Sequence, residues 1–81
     1  MLTSNQLRAS RALLGMDQRQ LAALAGLSLP TIQRMEASGG IIRANVDSLM
    51  KLIEALEQAG VVLIGSGQAS AGGGRGVRLR D

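Results

Sequence analysis

The chain has no cysteine and no histidine among its 81 residues. Disulfides, thiolate or imidazole metal sites, and nucleophiles that rely on a Cys-His or Ser-His pair are therefore excluded, and an enzyme is not expected. Phenylalanine, tryptophan and tyrosine are absent too. Without aromatic rings there is no platform for stacking unpaired bases, which argues against single-stranded nucleic acid and leaves duplex binding through grooves and phosphates open. No apolar run approaches the ~18 residues of a membrane span. The opening MLTSNQLRASRALLG lacks the continuous apolar region and cleavage site of a signal peptide, so a cytoplasmic protein with no membrane association and no cofactor is expected.

Hydrophobic residues nevertheless make up 46% of the chain and the mean hydropathy is +0.18, so a core must be buried. It is built from Leu, Ile, Val, Met and Ala. One core of this size rarely supplies more than about 3 to 5 kcal/mol, which makes association with a second copy an expectation before any motif is read. The net charge is +3, and of the nine cations only Lys51 is not arginine. The planar guanidinium fork suits phosphates and guanine edges, although a charge this small identifies no partner by itself.

The composition changes at Gly60, separating a helical body, residues 1–60, from an appendix, residues 61–81. In the body, Ser4 or Asn5 can cap a first helix that stops at Gly15, and Asp17 a second that ends at Gly26 with Leu21, Ala22, Leu24 and Ala25 along one side. Ser28 caps a third, with Pro30 in its first turn where a missing N–H costs nothing. A fourth starts near Asn45 and buries Leu49, Leu52, Ile53 and Leu56 at helical spacing. Met35 and Met50 are both expected in the core.

Gln18 to Met35 carries the most information. Two helices meeting near a right angle need a small residue at closest approach, supplied by Ala22, and a residue free to take positive φ in the turn, supplied by Gly26. Leu27, Ile32 and Met35 then hold the third helix inward. Its outer face is left with Ser28, Leu29, Thr31, Gln33 and Arg34. With Gln18, Leu21, Ala22, Gly26, Ile32 and Glu36 at these spacings, residues 5–60 resemble the Cro and phage-repressor type of helix-turn-helix protein, the Xre family.

The resemblance implies a mainly α, four- to five-helix, lambda-repressor-like domain whose third helix enters the major groove of double-stranded DNA. Ser28, Leu29, Thr31, Gln33 and Arg34 would meet base edges, and Gln18 would grip a phosphate. Arg8, Arg19 and Arg43 are further phosphate candidates. Arg11 on the first helix and Glu36 at the end of the third would form a structural ion pair. Leu29 and Pro30 stand where the family often has polar readers, which shifts readout toward Arg34 and DNA shape. Asp17 stands where Ser or Thr is common, and its carboxylate opposes phosphates unless the helix N-terminus holds it.

In the appendix, Val61, Val62, Leu63 and Ile64 form an apolar run rich in β-branched residues, and Val77 and Leu79 alternate with basic residues, which reads as a hairpin across a Gly-rich loop at 65–76. Both edges of a lone hairpin are open, so it is expected to pack on a second copy and build an intermolecular sheet in a homodimer, the alternative being a hairpin folded back on its own helical body. The loop lacks the Gly-Lys-Ser/Thr ending of a phosphate-binding loop. The expected function is a dimeric transcriptional repressor reading an inverted repeat. The alternative is the antitoxin of a toxin–antitoxin pair, with a toxin protein as an additional partner.

Overall fold

Each helix begins where a side-chain oxygen replaces a missing backbone partner. In the computed structural model, which describes residues 2–65 and 75–80, α1 (Ser4–Leu14) is capped by Thr3. The Thr3 hydroxyl accepts from the Gln6 N–H at 3.1 Å, and the Gln6 side-chain oxygen accepts from the Thr3 N–H at 3.0 Å. The cap thus lies just before the expected Ser4 or Asn5. Ser4 is instead fully buried, and its hydroxyl donates to the Met35 carbonyl at 2.8 Å. Asp17 caps α2 (Gln18–Ala25), Ser28 caps α3 (Leu29–Ala37) and Asn45 caps α4 (Val46–Gln58). The protein is thus mainly α, with four helices and a short two-stranded hairpin among the described residues.

Leu7, Leu21, Ile32, Leu52 and Leu56, one or two from each helix, are fully buried at the centre. The segment between α3 and α4 adds Ile42, whose N–H donates to the Leu2 carbonyl at 3.0 Å. Three apolar residues differ from expectation. Met50 is 50% and Leu24 44% exposed, and Ile53 is half-buried. On α4 the core-facing stripe is Leu49, Leu52, Ala55 and Leu56. Met50 is turned about 100° from Leu49 and falls on the outer side with Val46, one turn earlier.

After α4 the chain enters β1 (Val61–Ile64), which pairs antiparallel with β2 (Gly76–Leu79), Val61 opposite Leu79 and Ile64 opposite Gly76. Of the Gly-rich segment read at 65–76, residues 66–74 lie outside the described residues. The hairpin does not need a second copy to cover its inner face. Val61 is buried, and Leu63 and Val77 pack against the core of the same chain. Gln6 explains the seat. Its side-chain nitrogen donates to the Ile64 carbonyl at 2.9 Å and the Gly76 carbonyl at 3.0 Å, tying both strands to the start of α1. At the other end, Arg80 donates its N–H to the Gly60 carbonyl at 2.7 Å and its guanidinium to the Glu57 carbonyl at 2.7 Å. Among the described residues no helix is long and apolar enough to cross a membrane.

Gln6→Ala removes the bonds to two strand carbonyls and one N–H of the cap. The three bonds join part-buried groups and are each worth about 0.5 to 1.5 kcal/mol net, so a loss of ~2 kcal/mol or more in denaturant unfolding is expected. Amide exchange should quicken first in Val61–Ile64 and Gly76–Leu79, before α2 and α3.

Candidate nucleic-acid interface

The turn between α2 and α3 is held by its own backbone. Gly26 adopts φ 69°, and the N–H groups of Gly26 and Leu27 return to the carbonyls of Ala23 at 3.3 Å and Ala22 at 2.9 Å, closing the end of α2. Ala22 is buried, and Ile32 and Met35 anchor the inner face of α3. The outer face is consequently fixed in direction. Ser28, Thr31 and Arg34 recur every three residues along it and are joined: the two hydroxyls are 2.8 Å apart, and Arg34 donates to Thr31 at 3.4 Å. Gln33 and Arg34 are exposed, and Leu29 is half-buried. A row of donors and acceptors on a helix anchored from behind can offer hydrogen bonds to a ligand laid along it.

Beside this face lies a cleft of about 180 Å³, lined by Thr31, Arg34, Met35, Arg43, Ala44, Asn45 and Ser48. It opens at the N-terminus of α4, where the Ser48 N–H is taken by the Asn45 side chain at 2.8 Å and the amides of the first turn have no partner within the helix. Two guanidinium groups and a helix N-terminus facing one hollow favour an anion such as a phosphate. The structure therefore groups Arg43 with Arg34, and adds Asn45 and Ser48. These two were missed because their sequence signal, a cap three residues before a helical N–H, reports helix initiation and not what that helix end faces.

The remaining phosphate candidates lie elsewhere. Gln18 and Arg19 open α2, where Arg19 is exposed. Asp17 does not oppose an anion freely, because its carboxylate accepts from the Gln20 N–H at 2.7 Å. Arg8 is committed at the C-terminal end of α3, where it donates to the Glu36 carbonyl and the Asn5 side chain. It therefore does not join Arg34 and Arg43.

Glu36 organises the back of the site. Its side chain is 5% exposed and receives Arg11 Nε at 2.8 Å and Arg11 Nη2 at 3.0 Å, a two-bond pair between α1 and α3. The carboxylate also accepts from Gln18 Nε2 at 3.1 Å. Burial pushes the carboxyl pKa up, but the hydrogen bonds from Arg11 and Gln18, with the charges of Arg11 and Arg8, outweigh it and hold Glu36 below the usual carboxylate range. The same pairing raises Arg11.

A family model described as helix-turn-helix matches residues 7–58, which span α2, α3, the cleft and the buried pair. No curated protein matches the chain.

Because Glu36 has a lower pKa folded than unfolded, the stability it contributes is present above the ordinary glutamate pKa of about 4.3 and is lost as pH falls toward the folded value. Wild-type stability should drop across that acid range, and the drop should be shallower in Glu36→Gln. At neutral pH, Arg11→Ala should cost about 3 kcal/mol in chemical denaturation, the low end for stranding one partner of a buried pair, since Arg11 itself is partly exposed.

Proposed function

The chain belongs to the helix-turn-helix family, in its Xre type, and from that premise we propose that it is a dimeric repressor reading an inverted repeat through α3. The family is one of DNA-binding transcription regulators, and enzymatic activity is not typical of it. The observation that carries the proposal is the exposed row on α3 continuing into the arginine-lined cleft at α4. In this reading Arg34 and Gln33 read base edges, with Ser28 and Thr31 beside them, and Leu29 meets a thymine methyl group. Arg43, Arg19, Gln18 and the N-terminus of α4 hold phosphates. Repression follows from occlusion of the DNA that two such chains cover.

The hairpin supports the dimer through its edges. Arg80 N–H to Gly60 carbonyl is a ladder bond, and bonded pairs alternate in an antiparallel ladder. Val62, Ile64, Gly76 and Arg78 therefore spend their backbone groups inside the hairpin, while Val61, Leu63, Val77 and Leu79 direct theirs to the two outer edges. No third strand joins this sheet among the described residues. Pairing of one edge with that of a second copy would extend it, and an inverted repeat with half-sites one turn of DNA apart requires the two α3 helices to lie about 34 Å apart. The antitoxin alternative keeps the same DNA face and gives the hairpin, with Arg78 and Arg80 exposed on it, to a toxin.

Selection from fragmented genomic DNA should yield duplexes sharing an inverted repeat, with retention falling steeply between 50 and 200 mM salt, the range over which about six phosphate contacts lose at least a thousandfold. Arg34→Ala should lower discrimination between selected and scrambled duplexes by about 1 to 3 kcal/mol. Specificity undiminished in that variant refutes the assigned face. Light scattering should give twice the 8.4 kDa chain mass, and a monomer bound to a single half-site refutes the dimer.

A further inference from the structure

Glu36 is bonded to two side chains that differ in kind. Arg11 Nε and Nη2 occupy both carboxylate oxygens and join α1 to α3. The third bond comes from Gln18, the first residue of α2, half-buried and facing the same carboxylate at 3.1 Å. A primary amide can present either its oxygen or its nitrogen to a neighbour. Beside a carboxylate only the nitrogen is tolerated, so Glu36 selects one of two amide orientations. One Nε2 proton is consumed by this bond, which leaves the second for another acceptor, and Gln18 is itself the first residue of α2, where the backbone N–H groups of Gln18 and Arg19 lie. Those two have no partner within the helix, whereas the Gln20 N–H is already taken by Asp17.

We propose that Glu36 is a positioning residue for DNA binding. From behind α2 it fixes the Gln18 amide so that its remaining proton and the α2 N-terminal amides address one phosphate oxygen together. The proposal rests on the reading that the N-terminus of α2 faces the DNA backbone. It assigns to a buried acidic group a favourable effect on binding a polyanion. The Arg11 guanidinium compensates the carboxylate at 2.8 Å, and Arg8 adds its charge from the same helix. The contribution of Glu36 to the phosphate is therefore geometric.

Charge and position predict opposite signs for one substitution. Glu36→Gln removes a negative charge, and electrostatics alone would tighten binding to any duplex, most of all at low salt. Loss of positioning weakens it, because a carboxamide at residue 36 no longer selects the Gln18 orientation. A duplex of mixed sequence is a sufficient probe, since phosphate contacts are independent of sequence.

The test is a double-mutant cycle of Gln18→Ala and Glu36→Gln on such a duplex at several salt concentrations, with folding of each variant verified by circular dichroism. Each single variant should bind about tenfold more weakly, as expected for one hydrogen bond to a charged group. The double variant should bind no more weakly than either. The salt dependence should keep its slope, because a neutral amide displaces no counterion. Unchanged or tighter binding by Glu36→Gln, losses that multiply in the double variant, or unchanged binding by Gln18→Ala each overturns the proposal. Should Glu36→Gln fail to fold, the side-chain amide resonances of Gln18 in the unmutated protein decide. Addition of the duplex should shift one Nε2 proton while the other stays bonded to Glu36, and release from Glu36 in the complex overturns it. Arg34→Ala is the control for the underlying reading. Wild-type binding that Arg34→Ala weakens, with the cycle negative, discards only the role of Glu36; no duplex binding by the wild type discards both.

Discussion

The carboxylate of Glu36 is the constraint on which the arrangement of helices depends. It is a charge taken almost entirely out of water at the end of α3, and it is tolerable only because Arg11 meets it with two bonds and Gln18 with a third. Those partners come from α1 and α2, so three helices have to be present and correctly set before the burial cost is offset. Apolar contacts between Leu and Ile side chains allow sliding and rotation at small cost. Directional bonds to a buried carboxylate do not. The outer row of α3, Ser28, Thr31 and Arg34, owes its direction to this lock as well as to Ile32 and Met35 behind it.

The absence of aromatic rings makes such directional bonds more important here. A core of Leu, Ile, Val, Met and Ala buries less area per residue than one with a central ring. The protein complements it with buried polar groups: Ser4 to the Met35 carbonyl and Gln6 to both strands of the hairpin cross between elements, and Ser10 bonds to the Gln6 carbonyl within α1. No buried side-chain polar atom among the described residues is left without a partner. A small core of one texture is thereby given a single arrangement.

How much of this was legible in the sequence follows the range of the interaction. Asp17, Gly26, Ser28 and Asn45 act within one turn of helix, and helices appear where those residues announce them. At Thr3 the local signal was ambiguous. Thr3, Ser4 and Asn5 are all good caps, and the choice fell to the one whose neighbour, Ser4, bonds across to α3. Met50 misled because Leu49, Met50, Leu52 and Ile53 are nearly contiguous, and periodicity alone does not say where a stripe ends. The seat of the hairpin depends on Gln6, which is 58 and 70 residues from its two acceptors, and a glutamine near the N-terminus carries no mark of that. The cleft likewise joins Arg34 to Ser48 across a loop whose path no local pattern encodes.

Gln6 holds the hairpin by main-chain carbonyls, those of Ile64 and Gly76, and not by any side chain of either strand. Attachment is therefore indifferent to what the outward positions carry. Val62, Ile64 and Arg78 alternate away from the inward Val61, Leu63 and Val77, and exchanging them leaves the anchoring bonds in place. The outward surface of the strands can thus change in sequence while the seat of the hairpin and the α3 face stay unchanged.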